Sequence, residues 1–293
     1  MRHDFRKDCV MKTGLVLEGG AMRGMFTAGV LDAMMNNNIT VDGTIGVSAG
    51  ATFGCNFKSK QIGRTIRYNM KYSKDPRYVG IRSLIKTGDL YGADFCYREI
   101  PEKLDVFDTK TYQENPMAFY VVATDVNTGK PVYHLCPTGE ADDIEWYRAS
   151  ASMPLVSRIV KINGLELLDG GISDSIPIKK FKEMGYEKNI LILTQHDGYR
   201  KTKSSILPLL KMKMGKKYPN LIHDMEIRHN EYNKTLDYIK ELEKEGSVYV
   251  IRPKNPITIK RTERDPNKLR LLYNVGYKEG LEHIDAMKKF LNQ

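Results

Sequence analysis

Residues 13–57 read TGLVLEGGAMRGMFTAGVLDAMMNNNITVDGTIGVSAGATFGCNF, and this stretch decides the fold. Thr13–Glu18 is a short apolar run stopped by Gly19-Gly20, the pattern of a buried strand ending in a tight turn. Over Met22–Met35, Met25, Phe26, Gly29, Val30 and Ala33 recur near helical spacing, and Asn36-Asn37-Asn38 ends that helix. Val41–Gly46 is a second short strand and Ala49–Phe57 a second helix. Strand, glycine turn, helix, strand, tight turn, helix predicts a mostly parallel α/β sheet with crossover helices.

Working outward, Gln61–Asn115 carries many tyrosines and basic residues with weak periodicity, and is expected to form helices and loops over one side of the sheet. Met117–Asp125 is rich in aromatic and β-branched residues and reads as a central strand. Asn127-Thr128-Gly129 is a turn, Pro131–Leu135 a returning strand and Asp142–Ser150 a helix. Arg158–Ile162 and Leu165–Leu168 flank Asn163-Gly164, a strong hairpin signal. Asn189–Gln195 and Ser247–Arg252 are the last strands. Between them Ser204–Gly246 is Lys-, Met- and Leu-rich and helical in pattern. Asp265-Pro266 is an N-cap followed by proline at the first helical position, opening a helix to Phe290. Because a strand follows the helical segment, 204–246 is expected to be an insertion or lid within one domain spanning 1–293. The core is placed at 13–195, and 247–293 is read as the final strand and C-terminal helix.

The chain has 293 residues, 41% hydrophobic and 28% charged, which supports a sizeable core and excludes wholesale disorder. Its longest apolar runs, such as that in Asn189–Leu193, are far below the ~18 residues of a spanning helix. The polar start MRHDFRKDCVMK lacks an apolar leader, so a cytoplasmic location with reduced thiols is expected. Cys9, Cys55, Cys96 and Cys136 are scattered, and no C-x-x-C pair or clustered ligand set marks a metal site. The net charge of +10 suits an anionic surface, but no nucleic-acid motif accompanies it, so no nucleic-acid partner is expected.

Three motifs carry chemistry. Gly46-Val47-Ser48-Ala49-Gly50 is G-x-S-x-G between a strand and a helix. There a serine sits on a sharp turn, the glycines keep side chains out of it, and the following helix points N–H groups at the hydroxyl. Glu18–Gly24 is a second glycine turn between a strand and a helix, able to converge backbone N–H groups on an oxyanion. It also reads as a degraded dinucleotide fingerprint, Gly19-x-Ala21-x-x-Gly24, with Asp42 at ribose-binding distance. Asp169-Gly170-Gly171 follows a strand and can present a carboxylate to a cleft, or merely close its own turn. Only one or two strands precede Ser48, too few for an ordinary α/β-hydrolase, and of the six histidines only His196 follows a strand as a triad base would. His223, His229 and His283 fall on charged helical stretches, where solvent exposure is expected.

In combination and order, Gly19-Gly20-Ala21-Met22-Arg23-Gly24, Gly46–Gly50 and Asp169-Gly170-Gly171 resemble the patatin-like phospholipase (patatin-like acyl hydrolase) family of bacterial type. Ala151-Ser152-Met153-Pro154, and Ala123-Thr124-Asp125 with Thr128-Gly129, add to the likeness, which spans roughly 13–195. One departure is Ala21 in place of the third glycine. The resemblance implies a three-layer α/β/α fold and a Ser–Asp dyad without histidine. Ser48 would be the nucleophile and Asp169 the general base. The glycine turn 19–24 would be the oxyanion hole, with the N–H groups of Gly20, Ala21 and Met22 as donors and Arg23 ordering the loop. Gly46 and Gly50 would shape the elbow. It implies acyl-ester hydrolysis of phospholipids or lysophospholipids with no cofactor or metal. Lys201, Lys203, Lys211, Lys213, Lys216 and Lys217 interleave with Ile206, Leu207, Leu209, Leu210, Met212 and Met214, a pattern suited to peripheral contact with an anionic membrane. Tyrosines near Tyr68–Tyr78 are candidates for an acyl pocket. A nucleotide-binding protein using the first glycine turn, and a catalytically silent scaffold, stand as alternatives.

Overall fold

The computed structural model describes residues 11–292; the polar start with His3 and Cys9 lies outside them. Eight strands form one sheet: β1 (Lys12–Leu17), β2 (Gly43–Val47), β3 (Ala118–Asp125), β4 (Pro131–Leu135), β5 (Val160–Ile162), β6 (Leu165–Asp169), β7 (Tyr186–Ile192) and β8 (Val248–Ile251). Their order is β5-β6-β3-β2-β1-β7-β8, with β4 also on β3. From β3 to β8 every neighbour is parallel, while β4, β5 and β6 join antiparallel. β1 and β2 are buried along nearly their whole length, as strands of a sheet covered on both faces must be.

The expected strands are all present, within a few residues of their predicted bounds. Asn163 and Gly164 both have positive φ (50° and 81°), so the predicted Asn-Gly hairpin forms between β5 and β6. The 61–115 stretch is helical, as expected. Its periodicity is weak partly because Phe95–Leu104 is a π-helix that contains Pro101, which lacks the N–H an α-helical ladder requires. Ser204–Gly246 folds as the helices Leu207–Met214 and Pro219–Lys244.

The C-terminus departs from the single predicted helix. Pro266–Glu282 and Ile284–Asn292 are separate, broken at His283, whose ring meets the Tyr249 hydroxyl of β8 and Glu279. His283 is therefore half-buried rather than solvated, and so is His229, whose Nδ1 is buried without a partner among the described residues. The first of these helices lies against helix Gly24–Asn36 at backbone contact. A Cβ on Gly276 would stand 2.0 Å from the Phe26 carbonyl oxygen, and one on Gly29 2.2 Å from that of Tyr273.

Candidate active site

The registry of β3 determines which residues meet. Tyr120–Val122 pair with β4 and with β2, so those two strands occupy opposite edges of β3. Ala123 and Thr124 pair with β4 and with β6. β6 therefore takes over the edge that β2 leaves. β2 ends with Val47 opposite Val122, and Asp169 of β6 sits opposite the next residue, Ala123. Ser48, one residue past Val47, and Asp169, 121 positions later in sequence, are thereby brought to the same point.

Ser48 occupies a strained turn with φ 54° and ψ −119°, and helix Ala49–Lys58 begins directly after it. Such a turn leaves no room for side chains on either side. A Cβ on Gly46 would lie 2.5 Å from the Gly50 carbonyl oxygen, and one on Gly50 2.3 Å from that of Leu17. The Ser48 amide donates to the Ser150 hydroxyl at 2.8 Å, which holds the elbow to helix Ala141–Ser150.

Asp169 is buried, 2% exposed. Its Oδ1 accepts the Gly171 amide at 2.8 Å, while Oδ2 is buried without a well-formed hydrogen bond among the described residues. Burial pushes the carboxyl above the ordinary aspartate value. The Ser48 hydroxyl, and after it the Arg228 guanidinium, pull the other way. The result is a carboxylate more basic than usual with one oxygen free for the serine's proton.

The glycine turn packs directly on the elbow, since a Cβ on Gly19 would lie 2.8 Å from that of Ser48. Ala21 has φ 49°, the left-handed region that a glycine at this third position would occupy without cost. The amides of Gly20 and Ala21 have no acceptor among the described residues. The Met22 amide donates to the Arg261 carbonyl at 3.3 Å, which removes it from the expected donors. The Ala49 amide, at the first helical position after Ser48, has no acceptor among the described residues and is a donor that the sequence did not reveal. Beneath the turn, buried Glu18 accepts from the Thr194 amide (2.7 Å) and from the Tyr232 hydroxyl (2.6 Å).

Ser48, Asp169 and residues 18–23 line a cavity of about 600 Å³. The remaining lining falls into two groups. One is apolar and aromatic, including Phe53, Tyr68, Tyr78, Tyr91, Tyr97 and Ile100. The other is cationic: Arg23, Arg64, Lys201, Lys213, Arg228 and Arg261. Tyr68 and Tyr78, the candidate pocket tyrosines, thus line the same cavity as Ser48, joined by Tyr91 and Tyr97. Ile206, Leu209 and Lys213 of the 204–214 segment also border the cavity. The lysines there are not one solvated stripe, because Lys201 turns inward, Lys211 pairs with Glu226, and Lys217 stands 4.0 Å from Glu166. His196 lines a separate small depression beside Asp197 and does not reach Ser48.

Asp42 accepts from the amide and hydroxyl of Thr13 (2.7 and 2.8 Å), at the start of β1 and so at the opposite end of that strand from the glycine turn. It cannot serve a ribose at Gly19–Gly24, and the dinucleotide reading loses its acidic partner. One potential metal-ligand trio, unseen in the sequence, does form away from the cavity. His134, Cys136 and Asp143 place ligand atoms within 4.8 Å of one another. These groups are already engaged. Asp143 Oδ2 accepts from the Thr138 amide and hydroxyl and from the Gly139 amide, burial holds Cys136 in its thiol form, and His134 stacks on Trp146 at 4.0 Å.

A sequence profile described as Patatin-like phospholipase matches residues 15–182, more than half of the chain. The chain belongs to the patatin-like phospholipase family. A second profile, described as a domain of unknown function (DUF6363), matches residues 218–292. The uncharacterized protein YjjU of Escherichia coli K12 is 32% identical over 187 residues, 62% of this chain and 52% of its own. Lysophospholipase nte1 of Aspergillus terreus is 24% identical over 304 residues, 97% of this chain and 19% of its own. The chain therefore spans about half the length of the first relative and about a fifth of the second. The crystal structure of VipD from Legionella pneumophila aligns with a TM-score of 0.46 at 13% identity, over 94% of this chain and 67% of that one. Among the described residues, no helix is long and apolar enough to cross a membrane.

Proposed function

We propose that this protein is a serine hydrolase of lipid acyl esters, with Ser48 as nucleophile and Asp169 as general base. The observation that carries this reading is the β3 registry, which joins the end of β2 to the end of β6. It sets the strained serine against a buried carboxylate whose Oδ2 has no well-formed hydrogen bond among the described residues.

In the first half-reaction Ser48 Oγ attacks the acyl carbonyl carbon and its proton passes to Asp169. The carbonyl electron pair moves onto oxygen, and the N–H groups of Gly20, Ala21 and Ala49 are the donors available to it. Collapse of the tetrahedral species expels the alcohol, which takes the proton from Asp169 and leaves an acyl-serine ester. In the second half, water gives its proton to Asp169 as it attacks the acyl carbon. Ser48 then leaves, recovers that proton, and the fatty acid is released. The aromatic and aliphatic lining suits the acyl chain. Both the family description and the name of the fungal relatives support phospholipid or lysophospholipid substrates.

Exposed Leu209 and Met212 on helix Leu207–Met214, beside Lys213 at the cavity border, support an approach to anionic membrane surfaces. Flotation with anionic against neutral liposomes tests this, and equal absence from both would remove it. The function itself is tested by fatty-acid release from monoacyl lipid esters. Wild type is expected to turn over, and Asp169→Asn to fall by a factor of about 10³ or more with its circular dichroism unchanged. Undiminished turnover by Asp169→Asn would remove the dyad.

A further inference from the structure

Four of the six cavity cations, Lys201, Lys213, Arg228 and Arg261, come from beyond residues 15–182, and two of these, Arg228 and Arg261, lie in the 218–292 region of unknown function. Lys201, Arg228 and Arg261 are held in place. Lys201 is clamped by Asn233, which accepts from its amide (2.8 Å) and donates to its carbonyl (3.0 Å). Its ammonium rests 4.0 Å from the centre of the Tyr232 ring. Arg228 donates through Nε to the Gly171 carbonyl, two residues from Asp169. The Arg261 carbonyl accepts the Met22 amide, fixing that segment against the glycine turn.

Arg23 completes the group, and its Nε is buried without an acceptor. None of these four forms an ion pair with a described carboxylate, although Arg67, Arg77 and Arg158 at the surface, and Arg64 in the cavity lining, all do. Glu18, the neighbouring carboxylate, is occupied by Thr194 and Tyr232. Burial, and then crowding by Arg228, Arg261 and Arg23, push the Lys201 ammonium down to about 7, against the opposing pull of Glu18. Arg23, Lys201 and Arg228 are partly buried while Arg261 is exposed, and partly buried like charges are costly without a counter-ion. A phosphate supplies several acceptor oxygens that guanidinium forks and an ammonium recognise together.

We propose that Lys201, Arg228 and Arg261, with Arg23, form a subsite for a phosphate carried on the alcohol side of the scissile ester. The region of unknown function would then complete the cavity and select the leaving group. The alcohol side is assigned because Arg228 is anchored on the Gly171 carbonyl, two residues from the Asp169 that returns the proton to the departing alcohol. This inference rests on the ester-hydrolase reading.

The experiment compares kcat/KM for 1-lauroylglycerol 3-phosphate and 1-lauroylglycerol, in wild type and in the double variant Lys201→Met, Arg261→Gln. Wild type is expected to favour the phosphorylated ester by about tenfold or more, and the variant to lower that ratio by about tenfold. Retained fluorophosphonate labelling shows that the variant is folded. Equal turnover of both esters by both proteins overturns the subsite and leaves the hydrolase reading intact. If neither ester is cleaved, the hydrolase reading fails, and thermal shifts of the same proteins decide the subsite. Stabilisation by dodecyl phosphate, lost in the double variant, supports it. No stabilisation, or an equal shift with inorganic phosphate alone, overturns a leaving-group site.

Discussion

At the scale of single residues, backbone strain and burial sit where chemistry is proposed. Ser48 and Ala21 both lie at positive φ, but a glycine at position 48 would carry no nucleophile, whereas at position 21 it would only relieve strain. Left-handed alanine costs about 1–2 kcal/mol, and glycine returns about 0.4–1 of that through unfolded-state entropy. Ala21→Gly is therefore expected to raise stability by roughly 0.5–1 kcal/mol in urea unfolding while keeping the turn. A loss of stability would contradict the strain assigned here. Asp169 has a folded-state pKa above the ordinary 3.8, so its stability contribution is present at low pH and is lost as pH rises through the folded value. Two consequences can be measured. The acidic limb of kcat/KM should fall above the ordinary aspartate range. Asp169→Asn should melt no lower than wild type at pH 8, because a buried, incompletely solvated charge has been removed.

At the scale of elements, glycines set how closely backbones approach. Gly46 and Gly50 were legible because they belong to a local motif, and the same holds for the glycine turn and for Asp169-Gly170-Gly171. Gly170 lets the chain pass the β3 backbone, since its Cβ would lie 2.1 Å from the Val122 carbonyl oxygen. Gly29 and Gly276 carry no such signal, being single glycines inside helical patterns almost 250 positions apart. Their contact joins helix Gly24–Asn36 to helix Pro266–Glu282. Gly276→Leu is expected to force those helices apart and cost on the order of 1–3 kcal/mol, or to prevent folding. An unchanged melting temperature would mean that the two helices do not pack this way. The mostly parallel sheet and the Asn163-Gly164 hairpin followed from alternation and turn chemistry, whereas the strand order did not. The break at His283 did not, because it depends on a tyrosine from a distant strand.

At the scale of the whole molecule, the region matched as a domain of unknown function is bound into the patatin-like region. β8 adds to β7 in the same sheet, and Tyr232 of helix Pro219–Lys244 reaches Glu18 beneath the glycine turn. Tyr232→Phe would leave Glu18 Oε1 short of its donor in a site 3% exposed, at an expected cost of about 1–3 kcal/mol and with reduced turnover. Truncation before residue 218 is expected to yield insoluble protein, because it uncovers β7 and the first helix together. A soluble, active 1–217 fragment would show the regions to be independent. The motif-bearing half of the site was readable from local sequence. The cationic half was not, because Lys201, Arg228 and Arg261 resemble solubilising charges until the fold turns the first two inward and sets the exposed Arg261 beside them on the same cavity.

The most direct measurement is fluorophosphonate labelling of the purified protein, comparing wild type with Ser48→Ala. Stoichiometric labelling of wild type that disappears in Ser48→Ala is the expected result, since a phosphorus electrophile reports an activated serine oxygen without requiring the true substrate. Equal labelling of both proteins, or none of a well-folded wild type, would contradict Ser48 as the nucleophile.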